Sequence, residues 1–153
     1  MISTASHLLY SAAAVRRIFG LRPSAAVQVR EFFKVVWVWI KGQRPTFISK
    51  RQFKQHFIDW RKQQGEKLTV VQWREEPHRF SVSNPRKGTV YHVECTPHGL
   101  DCECEDYKNQ IILLHKGCCK HCYAVLSQLG LGSLSEYLES VQQRLTNSGA
   151  IAA

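Results

Sequence analysis

The feature that most constrains this chain is a cluster of cysteine and histidine residues between Leu100 and Leu126. Five of the six cysteines lie there. Cys102-x-Cys104 is followed, after fourteen residues, by Cys119-x-His121. Three thiolates and one imidazole make a closed tetrahedral ligand set of the kind that holds a structural zinc ion. The sequence therefore predicts one structural Zn²⁺ that joins two separate points of the chain.

The spacing leaves the identity of the fourth ligand open. In a strand, residues two apart point to the same face, so the sulfurs of Cys102 and Cys104 start on one side. Cys119 and His121 converge only if Cys119 precedes the first turn of a helix and His121 lies in that turn. Cys122 is also spaced for zinc from Cys119. Spacing favours His121 over Cys122 without deciding between them.

These residues resemble a SWIM-type zinc finger, whose pattern is Cys-x-Cys, a variable gap and Cys-x-His. The matching stretches are CECEDY at 102–107 and CKHCYAVL at 119–126, and the resemblance covers roughly residues 78–130. The resemblance implies a ββα zinc unit with a role in binding DNA or protein. It implies that the ligands are Cys102, Cys104, Cys119 and His121, with Cys95, Cys118 and Cys122 as additional thiols.

The remaining sequence predicts an α+β fold, a small antiparallel β meander plus the ββα unit, with flanking N-terminal and C-terminal helices. Apolar residues at three- and four-residue steps predict a helix over Gln28–Lys41, although VVWVW at 35–39 is also typical of a buried strand. Capping boxes at Ser49–Gln52 and Ser133–Glu136 predict two further helices. The predicted strands are 68–73, 78–83, 89–95 and 100–104, with a helix over 121–129. Between the ligand pairs, the apolar residues 111–114 are expected to fold over the metal.

The same patterns suggest how the chain is divided. The first thirty residues contain four arginines and no acidic residue, which fits either an amphipathic or disordered arm or an organelle transit peptide. The predicted segments are an N-terminal basic arm (1–27), a helical and β region (28–77), the zinc-finger-like segment (78–130), a C-terminal helix (131–146) and a tail (147–153).

Net charge points to an anionic partner. Twenty-one basic against twelve acidic residues give +9, with a pI near 9.5, and such a balance favours nucleic acid. The expected partner is DNA or, alternatively, a protein that docks on an apolar helix. The candidate phosphate contacts are Lys50, Arg51, Lys54, Arg61, Lys62, Arg86, Lys87 and Lys120.

Catalysis is not expected. Four protein ligands leave no coordination position for water, and the sequence has no glycine-rich phosphate loop, so no small-molecule substrate is predicted. All six cysteines lie within 95–122 at metal spacing, which favours a reducing compartment, cytoplasmic or nuclear, over disulfide formation. The apolar runs are too short to span a bilayer.

Overall fold

The computed structural model describes residues 5–150, which divide between Trp60 and Arg61 into two compact units. Each unit contains one antiparallel sheet with helices, so the predicted α+β class is confirmed. The helices are α1 (Ala5–Leu9), α2 (Ala12–Ile18), α3 (Lys50–Gly65), α4 (Glu105–Leu114), α5 (Lys120–Gln128) and α6 (Leu134–Ala150). The strands are β1 (Val27–Glu31), β2 (Val35–Ile40), β3 (Thr46–Ser49), β4 (Thr69–Gln72), β5 (Arg79–Asn84), β6 (Thr89–Thr96) and β7 (Gly99–Cys102).

The helix predicted for Gln28–Lys41 is wrong: this segment is the β1–β2 hairpin. Along β2 the side chains alternate, with Val36, Val38 and Ile40 buried and the residues between them partly exposed. This is the two-residue period of a strand. The turn at 32–34 contains neither glycine nor proline, so nothing local in the sequence marks it, and the aromatic residues there happen to continue a helical spacing.

The first unit buries one face of its sheet, in the order β1-β2-β3, beneath helical residues. Ala14 and Val15 of α2 and Phe53 of α3 belong to the same buried cluster as the inner valines of β2. Within the predicted N-terminal basic arm, residues 5–9 and 12–18 form the helices α1 and α2. Residues 1–4 of that arm lie outside the described residues, as do residues 151–153 of the predicted tail.

The helix after the first capping box is confirmed. The amide of Gln52 donates to the Ser49 side chain at 3.2 Å, which satisfies one of the unpaired N–H groups at the start of α3. Phe53 is completely buried in the first unit. The helix ends at Gly65, as its sequence indicated.

The second unit has a four-stranded meander in the order β4-β5-β6-β7. Because β4 pairs with β5, with Val70 opposite Val82, a boundary between residues 77 and 78 would separate two hydrogen-bonded strands. Phe80, Val82 and Val93 form a buried core with residues of α5. The two compact units are divided between Trp60 and Arg61.

Two helices in this unit were predicted and one was not. α5 and α6 follow the predicted positions, and α6 begins with the expected cap, because the Glu136 amide donates to the Ser133 hydroxyl at 3.2 Å. Residues 147–150 continue α6 rather than forming a tail.

The sequence did not predict α4. Ile111 and Ile112 on this helix are 40% and 69% exposed, so the expectation that this stretch covers the metal is wrong for them.

Gly65 generates a stability prediction. A Cβ atom there would lie 2.8 Å from the carbonyl oxygen of Lys120 and 3.1 Å from the amide nitrogen of Ala124, both backbone atoms of α5. We expect Gly65→Ala to lower the free energy of unfolding of the second unit by about 1–3 kcal/mol, because the backbone must move to relieve the overlap.

The measurement is chemical denaturation of the full chain. Gly149→Ala is the matched control, since no atom lies within 4 Å of the added Cβ. Equal stability of both variants would show that α3 and α5 are not packed this closely.

Candidate metal centre

The four predicted ligands lie where strands end and helices begin. Cys102 is the last residue of β7, and Cys104 is the N-cap of α4, with extended φ and ψ of −73° and 157°. Cys119 is the N-cap of α5, with φ −80° and ψ 174°. His121 lies in the first turn of α5, so the arrangement that allows Cys119 and His121 to converge is the one observed.

The four side chains meet at one point. Their ligand atoms all lie within 4.8 Å of one another, and all four residues are buried. Nδ1 of His121 is 3.8 Å from Sγ of Cys102 and 3.7 Å from Sγ of Cys119. In a tetrahedral site with bonds of about 2.0–2.3 Å, neighbouring donors lie about 3.5–3.8 Å apart. The cavity between these donors fits one four-coordinate metal ion.

The four side chains that could together hold a metal ion include His121 and not Cys122. Cys122 is completely buried, with Sγ 3.6 Å from Sγ of Cys119, and its thiol points to the carbonyl oxygen of Leu100 at 3.9 Å. Contacts with Cys102, Cys118 and Cys119, followed by burial, raise the pKa of Cys122 well above its usual value. A neutral buried thiol packs as a small apolar group.

The ionisation of the cluster suits a metal. Burial by itself lowers the pKa of His121, but contacts with the three thiols raise it to about 11. Cys104 raises the pKa of Cys102, whereas Cys119, Cys122 and His121 lower it, to about 6 overall. The pKa of Cys119 is likewise lowered to about 6, so the thiolate forms of Cys102 and Cys119 are favoured at neutral pH. A divalent ion would take the place of the imidazole proton beside them.

Two of the sulfur atoms lie at the N-termini of helices, where negative charge is favoured. The first amides of a helix are unpaired and carry the positive end of its dipole. Two of the thiols, Cys104 and Cys119, occupy the N-cap positions of α4 and α5. The Tyr107 amide donates to Sγ of Cys104 at 3.4 Å. The start of α4 thus presents a backbone N–H group to the sulfur of Cys104.

A buried glutamine holds the loop that carries Cys119. Gln110 is only 2% exposed. Its Oε1 accepts a hydrogen bond from the Cys118 amide at 2.9 Å, and its Nε2 donates to Asp106 at 3.1 Å. Asp106 in turn receives two hydrogen bonds from Arg61, at 2.7 and 3.0 Å. Sequence reasoning missed Gln110, whose only signal was a polar residue directly before the apolar run of 111–114.

Two tyrosines pack around the centre. The ring of Tyr91 lies 4.7 Å from that of His121, centroid to centroid. The ring of Tyr107 leaves no room for a side chain at Gly117, where a Cβ atom would lie 2.8 Å from Cε2 of the ring. This packing fixes the imidazole and the loop that leads to the second ligand pair.

The predicted phosphate contacts separate into groups. Lys50, Arg51 and Lys54 belong to the first unit, where Lys50 is paired with Glu31 and the other two are exposed. In the second unit, the ammonium group of Lys62 lies 5.8 Å from the ring of Tyr123.

Arg61 has a different role from the one predicted. Its side chain is 7% exposed, and its Nε and Nη2 atoms donate to the two carboxylate oxygens of Asp106. This corrects the prediction that Arg61 contacts phosphate, because a guanidinium bound in this way holds α4 in place within the unit and does not present its charge at the surface.

The other three predicted contacts come together around one cavity. Arg86, Lys87 and Lys120 line a space of about 180 Å³ in the second unit. Lys67, which the sequence did not single out, adds a fourth cation. Gln64, Leu68 and Asn84 complete the lining, which contains no carboxylate. We call this cavity the basic groove.

Comparison of the chain with known protein families, with curated proteins and with solved structures finds no match. None of the helices in the described part of the chain has both the length and the apolar character needed to cross a membrane.

We expect the purified protein to contain one metal ion per chain and the Cys104→Ser variant to lose it, because a hydroxyl is a poor replacement for a thiolate ligand. Since metal binding and folding are coupled in small sites of this kind, residues 89–130 should also lose order. Elemental analysis and amide hydrogen exchange measure the two effects. Cys118→Ser is the control, because Cys118 lies outside the ligand set. A folded, metal-free Cys104→Ser protein would contradict the assignment.

Gln110→Leu should weaken metal retention by about 10–100-fold, the usual effect of removing a group that orients a ligand. The leucine keeps the apolar bulk but leaves the Cys118 amide unpaired. Competition with a coloured chelator measures the change. Gln128→Leu, at an exposed position of α5, should retain the metal like the wild type, and equal affinity of all three proteins would rule out this role for Gln110.

Proposed function

We propose that this protein is a non-catalytic, SWIM-type zinc-binding module that binds DNA through the basic groove. The observation that carries the proposal is the position of Lys120. It lines the groove, and it lies in the chain between two metal ligands, Cys119 and His121. Ordering of the metal centre thereby orders one wall of the groove.

Zinc is the metal that the donor set favours. Three sulfurs and one imidazole nitrogen in a closed tetrahedron are typical of structural zinc. With all four positions filled by protein, no position remains for a water molecule or a substrate. We therefore propose that the ion stabilises the fold and has no part in a reaction.

The arrangement around the ligands supports the SWIM-type assignment. The antiparallel pair β6–β7 delivers Cys102, and α5 delivers His121, which matches the strand–strand–helix unit that the resemblance implies. α4, inserted between the two ligand pairs, occupies the part of the pattern where the length varies.

Charge supports DNA as the partner. Four cations converge on the groove without a carboxylate among its lining residues. Lysine and arginine bind phosphate oxygens and release the counterions that surround DNA, and this contribution does not depend on sequence. The side-chain amides of Gln64 and Asn84 add hydrogen-bonding groups that suit a sugar-phosphate backbone. We propose backbone binding rather than base recognition at this groove.

A protein-binding adaptor is the second candidate, and one observation favours it. Val71 of β4 and Val90 of β6 are 59% and 53% exposed on the same face of the second sheet. Exposed apolar residues on a sheet face are typical of protein contact sites when they form a continuous patch. Recovery of a partner protein that resists nuclease treatment, without DNA binding, would support this candidate.

The DNA proposal predicts a specific salt dependence. We expect the protein to bind duplex DNA at low salt, and the double variant Arg86→Ala/Lys87→Ala to bind more weakly, with the slope of log affinity against log salt reduced by about 2. Fluorescence anisotropy with a labelled duplex measures both quantities.

The control removes the same charge elsewhere in the second unit. Lys108 and Lys116 are exposed and do not line the groove, so Lys108→Ala/Lys116→Ala should keep most of the affinity. Equal loss in both double variants would show general charge attraction rather than a groove. Absence of wild-type binding at low salt would reject the DNA proposal.

A further inference from the structure

The sheet of the first unit presents an aromatic face. Its other face is buried, through Val36, Val38 and their neighbours. Trp37 of β2 lies between Arg30 of β1 and Phe47 of β3 in the strand register, and side chains at paired positions share a face. Trp39, two residues further along β2, points the same way. Phe47 is exposed, and Trp37 and Trp39 are partly exposed.

More aromatic rings extend this face at the β1–β2 turn. The ring of Phe32 meets that of Phe47 edge to face, with centroids 6.1 Å apart, and the Arg30 guanidinium lies 5.6 Å from the Phe32 ring. Phe47 is 61% exposed and Phe32 is 45% exposed. Large aromatic residues so exposed and so close together are typical of binding surfaces.

The charges around this face are positive. The segment 27–49 contains four cations, Arg30, Lys34, Lys41 and Arg44, and one carboxylate, Glu31. Glu31 is opposite Val36 in the register, so it lies on the buried side of the sheet, where it is paired with Lys50. The aromatic face therefore attracts an anion and presents no opposing carboxylate among its register positions.

The spacing of Trp37 and Trp39 along the backbone favours single-stranded over duplex nucleic acid. Trp37 and Trp39 are about 6.6 Å apart along the strand, at a rise of about 3.3 Å per residue. Bases in a duplex strand are about 3.4 Å apart. Two neighbouring bases that stack on both indoles must separate from each other, which requires an unpaired strand.

We propose that the aromatic face of β1–β3 binds single-stranded DNA by stacking of bases on Trp37, Trp39 and Phe47. Stacking on aromatic side chains tolerates any base, and nearby cations bind the phosphates. This site is separate from the basic groove and does not depend on the proposed role of the groove. An anionic membrane surface would also attract exposed aromatic rings and cations, and vesicle binding without single-strand binding is the result that would favour it.

The experiment uses the full chain and an unlabelled single-stranded DNA of about 12 nucleotides, within the usual range of site sizes. The same sequence closed into a hairpin duplex and vesicles of anionic phospholipid are tested in parallel. We expect Phe47→Leu to weaken single-strand binding about fivefold or more, because stacking contributes about 1–3 kcal/mol per base. Hairpin affinity should stay unchanged. Leucine keeps apolar bulk at an exposed position, and circular dichroism checks the fold.

Phe19→Leu is the matched control, because Phe19 is 43% exposed and lies at the end of α2, outside the sheet. It should bind single strands like the wild type. Tryptophan fluorescence gives a second measurement, since a stacked base quenches the indole. The quenching should be lost in Trp37→Phe/Trp39→Phe and retained in Trp73→Phe.

The outcomes distinguish single-strand binding by the aromatic face from duplex binding by the basic groove. Single-strand binding that depends on Phe47 supports the aromatic face even if duplex binding is absent. Single-strand affinity that is unchanged in Phe47→Leu, or equally reduced in Phe19→Leu, overturns it while leaving the groove untouched. Vesicle binding that depends on Phe47, without single-strand binding, overturns it in favour of a membrane surface.

Discussion

The second unit depends on the convergence of two helix starts on one point. Cys104 caps α4, and Cys119 caps α5, so the turns that begin these helices also bring the sulfurs together. The same residues belong to the buried cluster that includes Phe80 and Leu126. The residues that could hold a metal and the apolar core are therefore parts of one packed centre, so binding of an ion there would contribute directly to folding.

Close packing of α3 against α5 links the position of the metal centre to that of the basic groove. The backbone of α5 at Lys120 lies so close to Gly65 that a side chain would not fit between them. The end of α3 and the start of α5 thus form adjoining walls of the basic groove, with Gln64 on one and Lys120 on the other. The chain of hydrogen bonds from Arg61 through Asp106 and Gln110 to the Cys118 amide fixes the loop that delivers Cys119. The groove and the metal centre are consequently positioned by the same helices, α3 and α5.

The two proposed DNA surfaces differ in the physical interaction that each provides. The basic groove of the second unit provides charge, which acts over a distance of about 10 Å at moderate salt and weakens as salt rises. The aromatic face of the first unit provides planar rings, which act only in contact and are much less sensitive to salt. Each surface lies within one unit, so a substitution on one surface leaves the residues of the other unchanged. A chain with both would distinguish paired from unpaired DNA by the balance of these two contributions.

The sequence alone determined what depends on local chemistry: the ligand types and spacing, the capping boxes at Ser49 and Ser133, and the alternating strands of the second unit. It predicted the wrong structure for Gln28–Lys41, because helical and strand periods overlap over a short apolar run and the pairing partners that decide between them lie elsewhere in the chain. Tertiary structure decided the rest. Whether His121 or Cys122 joins the ligand set depends on where the start of α5 lies relative to β7, and whether Arg61 is exposed depends on its distance from Asp106, forty-five residues away. These outcomes are set by contacts distant in sequence, which no local pattern records.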